Sequence, residues 1–169
     1  LETRGGGGED LNAEVCGMHM KDSCRSEERF RHDGKDINCE DHVLEAGLGF
    51  AVKTDKPDFI GRDAVLRKKE AGLNMRMVQF KLMEAEPLLY HNEPVIRDGK
   101  IVGFLSSGSY GHHLGGAIGL GYVPCAGETA ADVLASNYEI DVAGTRVHAE
   151  VSIKPMYDPK GTRAKEQTL

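Results

Sequence analysis

The chain has 169 residues, of which 40% are hydrophobic and 28% charged, and it carries a formal net charge of −6. That length suits one domain or two small ones, and the composition is that of a folded globular protein rather than a disordered one. The acidic balance argues against a nucleic-acid partner, which needs a basic face, and no apolar run approaches the ~20 residues of a membrane-spanning helix.

The chain opens Leu1-Glu2-Thr3-Arg4, then Gly5 to Gly8, with no initiator Met. Residues 1–15 are therefore expected to be a linker or cut end, and the chain a fragment. Residues 14–31 read as a helix with a thin apolar face and a dense charge run from Lys21 to Arg31, a solvated helix beside a larger partner surface. His32 to Asp36 reads as a turn. From Leu44 to Lys53 the sequence LEAGLGFAVK predicts a buried strand interrupted by Gly47 and Gly49. Asp55 to Asp58, with Pro57, is a loop. Phe59 to Glu70 predicts a helix, with Asp63 in its first turn, Lys68 and Lys69 near its end and Gly72 as C-cap.

After Gly72 the periodicity changes. Met75, Met77, Phe80 and Leu82 mark a strand. Pro94–Arg97, Asp98-Gly99 and Lys100–Leu105 form the strongest hairpin pattern, since Asp-Gly supplies the positive φ angles of a type I′ turn. Tyr138–Val142, Ala143-Gly144 and Thr145–Ile153 predict a second hairpin, with one helical turn between Gly127 and Ser136. Short strands and regular turns make residues 75–155 a small antiparallel barrel or sandwich.

Between predicted strands Val102–Ser107 and Ala117–Val123 lies GSYGHHLGGAIGLGY, Gly108 to Tyr122. A dinucleotide loop would need a helix after the glycines, and a phosphate loop would need Gly-Lys-Ser/Thr; neither pattern is present. The glycines read as bends and close strand approaches. His112 and His113, as strand neighbours, would point to opposite faces, so at most one faces a ligand. The cysteines Cys16, Cys24, Cys39 and Cys125 lack a C-x-x-C pair and read as scattered free thiols, and no metal site is expected.

Several blocks, in order, resemble one family: MKDSCRSE (Met20–Glu27), HDGKDI (His32–Ile37), LEAGLGFAVK (Leu44–Lys53), DFIGRDA (Asp58–Ala64), Ser107-Gly108-Ser109, GYVP (Gly121–Pro124) and KPMYDP (Lys154–Pro159). The chain resembles the C-terminal part of the glycine-cleavage T-protein family of folate-dependent aminomethyltransferases. The fuller match is to the copy fused behind a flavin domain in dimethylglycine and sarcosine dehydrogenases.

The resemblance implies an α+β architecture. Residues 16–74 would be the end of a folate-binding domain, residues 75–159 a small antiparallel β-barrel, and residues 160–169 a tail. It also implies tetrahydrofolate as cofactor, with FAD confined to an upstream domain outside this sequence. The substrate would be an N-methyl glycine derivative or another aminomethyl donor, and the missing earlier part of the chain would pack against this one. No residue here inherits the family's catalytic aspartate. Bacterial cytoplasm or mitochondrial matrix is the implied compartment.

Three positions would contact folate: Glu27, Lys56 and Tyr157. Glu27 falls where the family has the glutamate that binds the pterin, and a carboxylate suits the pterin's paired N–H donors. Read without the resemblance, Glu27 is one more charge on a solvated run, Lys56 a surface-loop lysine and Tyr157 a barrel-closing tyrosine. Serine at position 26 stands where the family has leucine, and Asp33 where it has an aromatic. A stand-alone aminomethyltransferase, or a regulatory interaction module of the same fold without chemistry, are the alternative readings.

Overall fold

The computed structural model describes residues 15–163. Alternating apolar positions between tight turns produce six strands: β1 (Met75–Leu82), β2 (Pro94–Arg97), β3 (Lys100–Gly111), β4 (Gly116–Pro124), β5 (Tyr138–Val142) and β6 (Thr145–Ser152). All neighbours pair antiparallel in the closed order β1-β4-β3-β2-β5-β6, with β6 returning to β1. Closure removes the open sheet edges that would invite pairing with other chains. The expected barrel is thus present, and the sandwich is not.

A barrel this small is filled by its own side chains. Val78, Phe80, Leu82, Val95, Leu105, Val123, Ile140 and Val147 form its interior, none more than 1% exposed. The Phe80 and Tyr138 rings meet edge to face, with centroids 5.4 Å apart.

Both predicted hairpin turns have the required backbone. Asp98 and Gly99 have φ of 50° and 83°, and Ala143 and Gly144 have 52° and 89°. A β-carbon on Gly99 would meet nothing within 4 Å, so only the dihedral resists substitution. Gly99→Val is expected to destabilise the barrel by about 1–3 kcal/mol through that strain. Thermal unfolding checks it, and an unchanged melting temperature would contradict the turn assignment.

Helix α1 spans Met18–Glu27, shorter than the expected 14–31; residue 14 lies outside the described residues. The helix stops because Arg29 adopts a positive φ of 59° and the Phe30 N–H folds back onto the Arg25 carbonyl at 2.7 Å. Helix α2 covers Arg62–Ala71, with Asp63, Lys68, Lys69 and Gly72 in the expected places. Helix α3, Ala130–Ala135, starts at a reciprocal cap. The Thr129 hydroxyl accepts the Asp132 N–H at 3.2 Å, and the Asp132 carboxylate accepts the Thr129 N–H at 2.8 Å.

The strand expected over Leu44–Lys53 is absent. Local bonds replace sheet pairing there: Ala46 N–H to His42, Leu48 N–H to Val43 and Ala51 N–H to Leu48, all at 2.9 Å. Gly47, at φ 72°, leaves the extended region and sends the chain into a short 3-10 turn at Gly49–Ala51. Only Ala46 of this block is fully buried.

Glu45 stitches this block to the barrel. Its carboxylate accepts the N–H groups of Asn74 and Met75 at 2.8 and 3.1 Å and pairs with Lys68 Nζ at 2.7 Å. Burial pushes its pKa up, but the Lys68 bond and the two backbone N–H groups outweigh it and hold the pKa below the ordinary carboxylate value. A pKa lowered on folding contributes stability that is present above the unfolded value and is lost as pH falls through the folded value. Glu45→Gln is therefore expected to destabilise the chain by about 1–2 kcal/mol at neutral pH. The difference from wild type should shrink below about pH 4. Urea titrations at neutral and acidic pH check this, and a pH-independent difference would contradict it.

Candidate functional site

Helix α1 buries a polar face. Ser23, Ser26 and Glu27 are at most 6% exposed, while Met18 and Met20 are each more than half exposed. The surface under the helix explains the inversion, because it offers donors and acceptors rather than hydrocarbon. The Ser23 hydroxyl donates to the Tyr110 carbonyl at 2.6 Å. Arg25 donates to Asp36 at 2.9 Å and to the Ser107 hydroxyl at 3.1 Å, and Asp36 also accepts from Ser106. Gln79 of β1, wholly buried, donates to the Ser26 and Glu27 carbonyls at 2.7 and 3.0 Å and accepts the Met156 N–H at 2.8 Å. Gln79 thereby ties α1, the barrel and the KPMYDP block together. In the sequence it shows only as a polar residue between Val78 and Phe80 in an apolar strand.

Beside it, Arg29 is 4% exposed and donates to the Met77 carbonyl. Burial, then the charges of Arg31 and Arg76, lower its pKa to about 10.

The glycine-rich stretch is the β3–β4 hairpin, and His112 and His113 stand in its turn rather than on a strand. The His112 ring lies edge-on to Tyr110, with centroids 5.2 Å apart. His113 does something different. Its N–H donates to Glu27 Oε1 at 2.7 Å, the Leu114 N–H reaches the same oxygen at 3.1 Å, and its ring Nδ1 lies 3.1 Å from Oε2. The ring stacks on Tyr157 at 4.4 Å, and the Tyr157 N–H reaches the Glu27 carbonyl at 3.4 Å. Glu27 is therefore not part of a solvated run; it is buried in a turn-binding site.

A cleft of about 550 Å³ opens between α1, the hairpin and the segment before β2. Leu88, Leu89, Tyr90 and Tyr110 supply apolar and aromatic wall, Glu27 lies at its edge, and His19, His91, His112 and His113 also line it. Volume and lining fall in the range of small-ligand sites. Gly108 sets its width: a β-carbon there would lie 2.5 Å from the Leu89 carbonyl carbon and 2.6 Å from the Tyr90 nitrogen.

Of the three residues expected from the resemblance, the structure brings two together: Glu27 and Tyr157 meet through His113. Lys56 is exposed in the loop before α2, where its carbonyl accepts from Arg62; of the three, only Glu27 lines the cleft. Among the described residues, no three His, Cys, Asp or Glu side chains converge where a metal ion could sit. No helix among them is long and apolar enough to cross a membrane.

Residues 76–158 match the family described as the glycine cleavage T-protein C-terminal barrel domain. The 4-methylaminobutanoate oxidase (formaldehyde-forming) of Paenarthrobacter nicotinovorans is 42% identical over 92% of this chain and 18% of its own length. An aminomethyltransferase of Synechococcus sp. (strain CC9902) is 36% identical over 84% of this chain and 38% of its own. Human mitochondrial sarcosine dehydrogenase is 31% identical over 89% and 17%. The chain thus spans between about one sixth and two fifths of the length of these relatives. The crystal structure of glycine cleavage system aminomethyltransferase T from Bartonella henselae superposes with a TM-score of 0.76 at 24% identity, over 90% of this chain and 42% of that one, and shares its fold. The barrel, the order of the sequence blocks and these relatives agree: residues 76–158 are a C-terminal barrel domain of the glycine cleavage T-protein family.

Proposed function

We propose that this chain is the tetrahydrofolate-binding part of a longer enzyme that oxidises an N-methylated amino acid at an upstream flavin and hands on the one-carbon unit. The cleft between α1 and the β3–β4 hairpin carries the reading, because it joins a flat-ligand wall, Tyr90 and Tyr110, to hydrogen-bonding groups centred on Glu27. A reduced pterin needs both: a surface for its ring and acceptors for its N–H edge. The relatives named as an oxidase and a dehydrogenase support the longer, flavin-containing parent over a stand-alone aminomethyltransferase. The exposure of Met18 at the start of α1, 65%, supports cover by a preceding part of the same polypeptide.

The chain's own residues would bind and orient the folate; none supplies the chemistry of amine oxidation. Calorimetric titration of the full-length protein with tetrahydrofolate tests the reading, with saturable binding expected in the micromolar range or tighter. One observation favours a second reading, a non-catalytic interaction module: most of the Glu27 acceptor capacity is already used within the chain. Absence of folate binding by the full-length protein would select it.

A further inference from the structure

A carboxylate has about four acceptor positions on its two oxygens. On Glu27, two backbone N–H groups occupy Oε1 and the His113 ring occupies one position on Oε2. The side chain is 2% exposed, so the carboxylate does not present a free two-oxygen edge to the cleft. The imidazole beside it does have a free face. A carboxylate accepting from Nδ1 requires the proton on Nδ1, and in the neutral ring Nε2 is then a bare acceptor. Tyr157, stacked at 26° to the ring plane, fixes the ring from one side. The His113 side chain is nevertheless 54% exposed and lines the cleft. Its Nε2 has no hydrogen-bond partner among the described residues.

We propose that His113 Nε2, rather than the Glu27 carboxylate, is the acceptor offered to an N–H donor of the bound ligand. Glu27 is the positioning residue that fixes the tautomer and the ring orientation. The assignment rests on the folate reading and refines it: the ligand class is a planar heterocycle presenting an N–H edge, as a reduced pterin does. The relay also accounts for a buried glutamate whose oxygens are spent on the hairpin turn. The carboxylate acts through a ring that reaches further into the cleft.

Two substitutions separate the ring nitrogens. H113N places an amide N–H₂ near the Nδ1 position, keeping a partner for Glu27 while removing the Nε2 acceptor. H113Q reaches the Nε2 position with an amide oxygen, keeping an acceptor. Tetrahydrofolate titration of the full-length protein should show H113N weaker by roughly five- to a hundredfold, with H113Q recovering a substantial part of the loss. H113N binding as tightly as wild type would overturn the assignment and leave the ring as a clamp on the hairpin. No binding by wild type would overturn the folate reading and this one together. A ligand-free measurement stands beside these. Nitrogen-15 NMR of the neutral His113 ring should show a protonated Nδ1 and a bare Nε2 in wild type, and a mixture of tautomers in E27Q. A wild-type ring protonated on Nε2 would overturn the proposal whatever the affinities.

Discussion

Phe80→Ala is expected to lower the unfolding free energy by about 3–5 kcal/mol. Phe80 has no exposed surface and sits in the barrel interior among Val78, Leu82, Leu105 and Tyr138. Truncation loses the transfer free energy of the ring and leaves a cavity that a closed barrel cannot easily collapse, because six paired strands hold its walls. The edge-to-face contact with Tyr138 goes as well. Urea denaturation of the variant beside wild type measures it. A loss below about 1 kcal/mol would mean that the barrel is not the cooperative core.

Gly108→Ala is the next largest effect, about 1–3 kcal/mol or more, because the added methyl meets backbone. Its β-carbon would lie within 2.8 Å of three atoms of Leu89 and Tyr90, and the two nearest are main-chain atoms that cannot rotate aside. Relief requires the Leu89–Tyr90 segment to lift from β3. That segment is a wall of the cleft, so tetrahydrofolate affinity should fall along with stability. Ser109→Ala, one position along, should stay within about 0.5 kcal/mol of wild type. Equal melting temperatures for the two variants would contradict the close approach.

The elements legible in the sequence were those fixed by local chemistry. Asp98-Gly99 and Gly144 announce their turns because glycine adopts positive φ freely and aspartate tolerates it, whereas Ala143 is held at 52° by the hairpin it sits in. Leu44–Lys53 is ambiguous because small apolar residues suit a buried strand and a tight, half-exposed turn alike; Gly47 decides between them only once its dihedral is known. The α1 face was illegible for a different reason. Nothing within the helix says that Ser23 will meet Tyr110 or that Arg25 will meet Ser107, contacts that span 87 and 82 positions. Glu27 and Tyr157 stood out through the family blocks alone. His113, the residue that joins them, was visible only as one of a histidine pair, since its partner lies 86 positions away. Lys56 shows the converse, a motif-adjacent lysine whose loop keeps it on the surface.

The most direct test of the account is a crystal structure of the full-length protein with tetrahydrofolate bound. The account predicts the pterin in the cleft between α1 and the β3–β4 hairpin, with one of its N–H groups about 3 Å from His113 Nε2. Glu27 should still hold the His113 and Leu114 amides. A pterin bound away from the cleft, or a hairpin released from Glu27 so that both carboxylate oxygens meet the ligand, would contradict it.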